Sequence, residues 1–460
     1  MPEKIRTGCD GLDEVLHGGI PANTITVLMG APGTGKTILA EQIAFSNASP
    51  ETPVLYLSTV SEPLDKFIAH GQEYTFFDPK KVGTSVFYED LGYMLRDRNI
   101  TELPNIVADL FIRYRPSFVF IDSFKALADL YCGDKERRMV IYDLATALSA
   151  YKCTSILVGE YSQDTTTTLP EFAIADIVLS MLKYSTNVRE QRFLKVEKLR
   201  GSDSITGAHA FSISFDGIEI FPRLLTPPIA PDYQPKIERV NSGIDTLDDL
   251  IAEGFWRGST TLVAGPSGSG KTIMVLHFLR QGALNDETCL YVGFQENPAQ
   301  LARVMQNLGW NSAELLADGR YELMYRSPVE MQLDSVAAEL FRRVRKGEVQ
   351  RVAIDAVGDL QRCSLDRERF ADFIYALVQW FAVENVTCMM TLELAEMFEI
   401  HRISDNDVSN MADNLILLGY TKTADMKRTL RIMKTRGSAQ DNRLHTLEIT
   451  NRGVLVKPES

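Results

Sequence analysis

Lys36 and Lys271 each stand near the end of a run with the spacing G-x-x-x-x-G-K-[ST]. The two runs are Gly30-Ala31-Pro32-Gly33-Thr34-Gly35-Lys36-Thr37 and Gly265-Pro266-Ser267-Gly268-Ser269-Gly270-Lys271-Thr272. Glycines at these positions let successive backbone N–H groups curl around a phosphate. The lysine brings charge to the β- and γ-phosphates, and the threonine hydroxyl takes Mg²⁺. The chemistry implied is nucleoside triphosphate binding, twice in one chain. Gly33, Thr34, Gly35, Lys36, Thr37 and Ile38 are the expected nucleotide contacts of the first copy. Ser267, Gly268, Ser269, Gly270, Lys271, Thr272 and Ile273 are those of the second. Asp122 and Asp355 each close an apolar run, which would set a carboxylate beside the Mg²⁺ held by Thr37 or Thr272. Capping of the following turn is the alternative role for these aspartates.

Such loops work only between a strand and a helix, where the helix N-terminus adds its positive end to the phosphate site. Apolar runs at 25–29 and 260–264 lead into the two loops, and a helical pattern follows each. Further strands are expected at 54–57, 118–121 and 155–158, with helical patterns at 102–113 and 136–150. The second half repeats the alternation, with strands at 289–293, 351–354 and 387–391 and helices near 298–308 and 335–346. This order predicts an α/β fold of tandem domains, each a mostly parallel sheet flanked by helices, with ligand at the carboxyl ends of the strands. Other segments recur as well. Asp13 and Asp248 are separated by the same interval as Lys36 and Lys271, and Lys198-Leu199-Arg200-Gly201-Ser202 is echoed by Lys434-Thr435-Arg436-Gly437-Ser438. The chain therefore reads as a duplication, with domains at 1–221 and 237–460 joined by a proline-rich linker at 222–236.

Composition sets the outer bounds. Of 460 residues, 45% are apolar and 24% charged, as in an ordinary globular protein. No apolar run has the length of a membrane span, and the N-terminus lacks the plan of a signal peptide, so a cytoplasmic protein without membrane contact is expected. The six cysteines are scattered without a C-x-x-C pair, which argues for buried thiols rather than a disulfide or metal framework. A net charge of −13 argues against affinity for a nucleic-acid backbone. The polar segment 160–168 follows a strand and reads as a sensor loop at the nucleotide or as a solvent loop.

Gly8-Cys9-Asp10-Gly11-Leu12-Asp13, the phosphate loop, Phe120-Ile121-Asp122-Ser123 and Lys198-Leu199-Arg200-Gly201-Ser202 together resemble the KaiC family of two-domain RecA-like ATPases. The resemblance covers essentially the whole chain, from Ile5 to about Val456. It implies tandem RecA-like domains and a homohexamer of two stacked rings with ATP at the subunit interfaces. It further implies a slowly hydrolysing first ring and a second ring with autokinase and autophosphatase activity. Lys198 and Arg200, with Ser202, would then reach the neighbouring subunit's first-ring ATP. Lys434, Thr435, Arg436 and Ser438 would do the same in the second ring. Cations placed there neutralise charge on the transferring phosphoryl group.

The chain departs from the family pattern at the catalytic carboxylates, where that family carries a Glu-Glu pair. The second half reads Phe294-Gln295-Glu296-Asn297-Pro298. Glu296 can serve as a base; Gln295 cannot accept a proton and is kept as a nucleotide-site residue. The first half reads Ser58-Thr59-Val60-Ser61-Glu62-Pro63, in which Glu62 is either a base reached through a one-residue gap or a cap for the helix that Pro63 opens. In the segment resembling the family's phosphorylated stretch, Ser409 matches an acceptor serine, Asn410 replaces the threonine, and Ser404 matches a neighbouring hydroxyl. Cap or turn hydroxyls are the other reading of both serines. Asn410 excludes a two-site phosphorylation cycle, leaving a single serine autokinase in play.

Few residues follow Arg436, so an activator of the KaiA kind is not expected, whereas a KaiB-like partner fits the resemblance. The favoured function is a KaiC-like, circadian clock-like signalling protein that binds ATP and Mg²⁺ and hydrolyses ATP slowly. A non-catalytic ATP-dependent scaffold or nucleotide sensor is the alternative, supported by Val60, Ser61 and Gln295. A RecA- or RadA-type DNA-dependent ATPase is disfavoured by the acidity and by the lack of a basic, aromatic-interleaved loop.

Overall fold

The structure, a computed structural model, describes residues 3–59, 64–96, 99–129, 134–162, 169–185, 189–317, 319–329, 331–395, 408–422, 426–451 and 453–458. The chain forms two compact units, Met1–Arg223 and Leu224–Ser460. Each is built on a nine-stranded sheet. The strands of the first are β1 (Ile25–Gly30), β2 (Val54–Ser58), β3 (Val86–Asp90), β4 (Phe118–Asp122), β5 (Thr154–Gly159), β6 (Ile177–Ser185), β7 (Glu190–Leu199), β8 (Ala208–Ser214) and β9 (Gly217–Phe221). They lie in the order β9-β8-β7-β6-β1-β5-β4-β2-β3. From β3 across to β6 every pairing is parallel; β6 to β9 continue as an antiparallel extension. Helix α1 (Lys36–Asn47) follows the first phosphate loop, and the short α2 (Pro170–Ile174) precedes β6.

The second unit repeats this plan. Its strands are β10 (Thr260–Gly265), β11 (Cys289–Gly293), β12 (Tyr321–Tyr325), β13 (Arg351–Asp355), β14 (Thr387–Glu393), β15 (Asn414–Tyr420), β16 (Arg428–Thr435), β17 (His445–Thr450) and β18 (Gly453–Pro458). Their order, β12-β11-β13-β14-β10-β15-β16-β17-β18, is the same topology. Helix α3 (Lys271–Leu284) follows the second loop, α4 (Val357–Arg362) follows β13, and α5 (Val408–Met411) precedes β15. The mostly parallel α/β architecture expected of a tandem RecA-like chain is the one observed. Residues 222–238 carry neither helix nor strand.

Strand β4 shows why these segments are strands. Phe118 and Phe120 enter one core, while Val119 and Ile121 enter the core on the other face. Side chains alternate across a strand, so a strand covered on both faces must be apolar throughout. β13 does the same, with Val352 and Ile354 on one face and Ala353 on the other. Most of the expected strands run one or two residues further than their apolar patterns. The additions include Ser58, Asp122, Asp355 and Glu393, polar residues at carboxyl ends. There the backbone ladder continues after the side chains have left the core, so the apolar signal stops before the strand does.

The five described cysteines are free and buried. Burial pushes the Cys153 and Cys289 thiols up to about 12. Cys132 lies outside the described residues. Among the described residues, no helix is long and apolar enough to cross a membrane.

Arg351, the first residue of β13, is 1% exposed. It pairs with Glu287 and donates to Asn241 O at 2.7 Å and Phe278 O at 3.0 Å. This ties the strand that ends in Asp355 to the helix that begins at Lys271. Removing one partner of a buried pair leaves an uncompensated charge. Glu287→Leu is therefore expected to destabilise the second unit by about 3–5 kcal/mol, read from denaturant unfolding. The double change Glu287→Leu with Arg351→Leu should recover much of that loss.

Candidate nucleotide sites

Each phosphate loop turns into its helix through a glycine with left-handed backbone, Gly35 at φ 100° and Gly270 at φ 107°. A Cβ would strain that conformation, so glycine is required where the helix N-terminus is aimed at the site. Buried hydroxyls hold the loops from inside. Thr34 Oγ1 donates to Ala31 O at 2.9 Å, and Ser269 Oγ to Pro266 O at 2.8 Å. The lysines lie over the same loops. Lys36 Nζ donates to Ala31 O at 2.9 Å, and Lys271 Nζ to Gly265 O and Pro266 O at 2.9 and 2.8 Å. Burial lowers the pKa of both lysines. Glu160 and Asp122 oppose this at Lys36, as Glu393 and Asp355 do at Lys271.

The strand-ending aspartates meet the loops as the spacing predicts. Thr37 Oγ1 donates to Asp122 Oδ2 at 2.8 Å, and Thr272 Oγ1 to Asp355 Oδ2 at 2.7 Å. A tyrosine from the adjacent strand donates to the same carboxylate oxygen, Tyr56 at 3.1 Å and Tyr291 at 2.9 Å. Thr391 donates to the other oxygen of Asp355. Burial, then the neighbouring aspartate, raises both phenols well above their ordinary range, so each stays a protonated donor. A hydroxyl and a fixed carboxylate at this spacing are hard oxygen ligands, a donor set that suits Mg²⁺.

Cavities open over both loops. In the first unit, one of about 390 Å³ and one of about 420 Å³ share Thr37, Asp122, Ser123 and Glu160. Gly33, Gly35, Lys36 and Ile38 line the second of these. In the second unit a cavity of about 350 Å³ is lined by Ser267, Gly268, Gly270, Lys271, Thr272 and Ile273. Gln295, Glu296 and Glu393 face the same space. Burial raises the pKa of Glu296, and Asp355 and Asp359 add to the shift, which moves this carboxylate toward the range useful to a general base. The Gln295 amide donates to Asp359 Oδ2 at 3.0 Å.

The K-x-R segments sit elsewhere. Lys198 Nζ donates to Phe172 O at 2.9 Å, and Arg200 to Ala173 O at 3.1 Å, both carbonyls of α2. In the second unit Lys434 donates to Ala412 O at 2.6 Å and Asn410 O at 3.3 Å, and Arg436 to Asn410 O at 3.3 Å. Arg200 and Arg436 also pair with Asp176 and Asp413 at 3.7 and 3.4 Å, while 57% and 60% of their side-chain surfaces stay exposed. None of the four cations lines the cavity over its own loop. Ser202, Thr435 and Ser438 make turn contacts: Ser202 to Asp203 O, Thr435 to Ser438 O, and Ser438 accepting from Arg239. Ser409 is half-buried in α5, next to the residue whose carbonyl receives Lys434 and Arg436. Glu62 and Ser404, with Val60 and Ser61, lie outside the described residues.

Sequence reasoning passed over Tyr56 and Tyr291, Glu393, Arg192 and Arg428, and Asp359, and met Glu160, the partner of Glu393, only as the start of the polar segment 160–168. Arg428 Nε donates to Gly268 O at 3.0 Å, and Arg192 lines the first-unit cavity. Three of these are pairs at matched positions in the two halves. Setting one half against the other beyond the loops would have found them.

Fold and site together define a tandem RecA-like phosphate-loop ATPase. The family model described as "ATPase: KaiC" matches residues 5–224 and again 240–460. The chain belongs to the KaiC ATPase family. It is 27% identical over 99% of its length to the circadian clock oscillator protein KaiC 1 of Synechocystis sp. (strain ATCC 27184 / PCC 6803 / Kazusa), covering 89% of that relative. It is 26% identical, with 99% and 90% coverage, to the circadian clock oscillator protein KaiC of Picosynechococcus sp. (strain ATCC 27264 / PCC 7002 / PR-6). The KaiC of Prochlorococcus marinus (strain MIT 9313) is 24% identical, with 99% and 93% coverage.

Groups that orient a metal-ligating carboxylate matter nearly as much as the ligand. Tyr291→Phe is thus expected to weaken Mg²⁺-dependent ATP binding at the second site by about tenfold. Titration of a fluorescent ATP analogue with and without chelator, in a Lys36→Ala background, measures the loss.

Proposed function

We propose that this chain is a Mg²⁺-dependent ATPase that works as a double-ring homohexamer and serves as a KaiC-like signalling or timing protein. The observation that carries this reading is the position of Lys198, Arg200, Lys434 and Arg436. They are held on backbone carbonyls away from their own phosphate loops. A site whose charge-neutralising cations stand outside it is completed by a neighbouring copy, and a closed ring supplies every site in this way. The relatives' name, circadian clock oscillator protein, supports the timing role.

In this mechanism Lys36 and Lys271 hold the β- and γ-phosphates, and the loop amides bind the remaining phosphate oxygens. Thr37 with Asp122, and Thr272 with Asp355, would hold Mg²⁺, which would supply neutralisation of the developing phosphate charge. In the second ring Glu296 accepts the proton of the attacking nucleophile. Glu62 is the proposed base of the first ring. Arg200 and Arg436 act in trans on the γ-phosphoryl group.

Ser409 is the proposed acceptor of a single-site autokinase. Its Oγ would bond to the γ-phosphorus as the bond to the bridging oxygen breaks, with the proton passing to Glu296 and ADP leaving. The bonds from Lys434 and Arg436 to Asn410 O support this, because they set the acceptor segment beside the cations of phosphoryl transfer. Gln295, unable to accept a proton, leaves Glu296 as the base of this ring and is the residue that supports the alternative reading of a nucleotide-sensing scaffold. A KaiB-like protein on the first ring is the partner proposed.

Incubation with Mg²⁺ and γ-³²P-labelled ATP, following free phosphate and protein-bound label together, separates these readings. Phosphate release is expected, and label should map to Ser409 if the autokinase operates. ATP binding with neither signal would establish a nucleotide-sensing scaffold instead. Arg200→Ala, placed in a Lys271→Ala background, should lower first-ring turnover by about 10³-fold while leaving ATP bound. Unchanged turnover would refute the trans role. Sedimentation with ATP present should give six copies per particle.

A further inference from the structure

Asp359 is 1% exposed, yet it carries a carboxylate that is bonded to Gln295, a residue lining the second nucleotide cavity. Burying a charge is costly unless its oxygens are bonded. Both are: Gln295 Nε2 donates to Oδ2 at 3.0 Å, and Arg362 Nη1 to Oδ1 at 3.1 Å. Arg362 keeps 71% of its side-chain surface exposed, so pairing with it would not by itself require the carboxylate to be buried. The bond to Gln295 has a directional consequence. A carboxylate only accepts, so it is the amide nitrogen that turns to Asp359 through one N–H, which fixes the side of the amide on which the carbonyl oxygen lies. Gln295 lines the cavity beside Glu296. In the first unit the position four residues after Asp122 is Ala126, so no carboxylate stands at the corresponding place there.

We propose that Asp359 is a positioning residue for hydrolysis at the second site, fixing the Gln295 amide so that its carbonyl and the Glu296 carboxylate together hold the attacking water. This rests on the hydrolytic reading given above. A water donates two hydrogens. With one accepted by Gln295 and the other by Glu296, a lone pair is left for phosphorus. The water oxygen then bonds to the γ-phosphorus, and the bond from phosphorus to the β,γ-bridging oxygen breaks. ADP leaves with that electron pair, and the water's proton passes to Glu296. Without Asp359 the amide is free to turn its NH₂ inward, where it would oppose a water hydrogen.

The test uses the full chain with Lys36→Ala, so that turnover reports the second site. Asp359→Leu removes the acceptor and is expected to lower kcat by about 10- to 100-fold with little change in KM for ATP. Asp359→Asn still offers an oxygen to the Gln295 amide and should keep most of the activity. Adding Gln295→Ala to Asp359→Leu should cost nothing more, because Asp359 acts through Gln295. Additive losses, a change confined to KM, or equal loss in the Leu and Asn variants would overturn the proposal. Should Asp359→Leu fail to fold, Gln295→Glu provides the second route. It sets two carboxylates against each other and should be poorly active, and Asp359→Asn on top should restore turnover. Indifference of Gln295→Glu to that second change would also overturn the proposal. A Lys36→Ala parent that binds ATP without turnover would instead overturn the hydrolytic reading of this site, and the positioning role with it.

Discussion

The bond between a loop threonine and a strand-ending aspartate is the contact on which each unit's site depends. Thr37 and Asp122 are far apart in sequence, as are Thr272 and Asp355, yet each pair meets within 3 Å. The meeting requires that β1 and β4, or β10 and β13, lie one strand apart with their carboxyl ends level. The register supplies this: Met29 stands opposite Gly159 and Asp122 opposite Val158, so one intervening strand sets both heights. In the second unit β14 does the same between Gly265 and Ile354. A slip of one residue in either pairing would turn the aspartate to the other face and remove it from the site. The two cores against each sheet, with alternate side chains committed to opposite faces, are what hold the register.

Duplication of that frame has left the two sites different. Tyrosine, aspartate, threonine and lysine recur at matched positions, as do the glutamates that end the fifth strand's run, Glu160 and Glu393. What differs is the turn that follows the strand-ending aspartate. The first unit carries Lys125, paired with Asp129, and Ala126 where the second carries Gly358 and Asp359. The groups at the phosphate loop are thus shared, while those that follow the aspartate are not. The same division applies to the cations. Lys198 and Lys434 are both lowered by burial and by the arginine two residues away, and both are fixed by backbone carbonyls rather than by ligand. Positions held by backbone are pre-organised, which lessens the ordering cost of any further contact those cations make.

The phosphate loops, the duplication, the parallel α/β architecture and the family were all legible in the residues. Each has a local or periodic signal: a spaced glycine and lysine pattern, an apolar run, or a segment that recurs at a fixed interval. Asp122 and Asp355 were legible for the same reason, since each ends an apolar run that follows a phosphate loop. Tyr56 and Tyr291 were not. In sequence each is one more aromatic residue inside a buried strand, and only the neighbouring strand makes its hydroxyl a partner of the aspartate.

Sequence alone determined which groups can touch a phosphate, because the loop is contiguous and its chemistry depends on spacing along the backbone. It also determined that there are two such loops on one repeated frame. Tertiary structure decided which groups surround the remaining faces of the ligand. Gln295 read as the loss of a base, and Asp359 carried no signal at all; the folded chain brings them together as a bonded pair. The resemblance assigns Lys198 and Arg200 to a neighbouring subunit's ATP, and what the fold adds is their bonds to backbone carbonyls of α2. The physical reason is the same in each case. A hydrogen bond depends on distance and direction in space, and for residues brought together by a sheet those are set by register and packing, which no local pattern encodes.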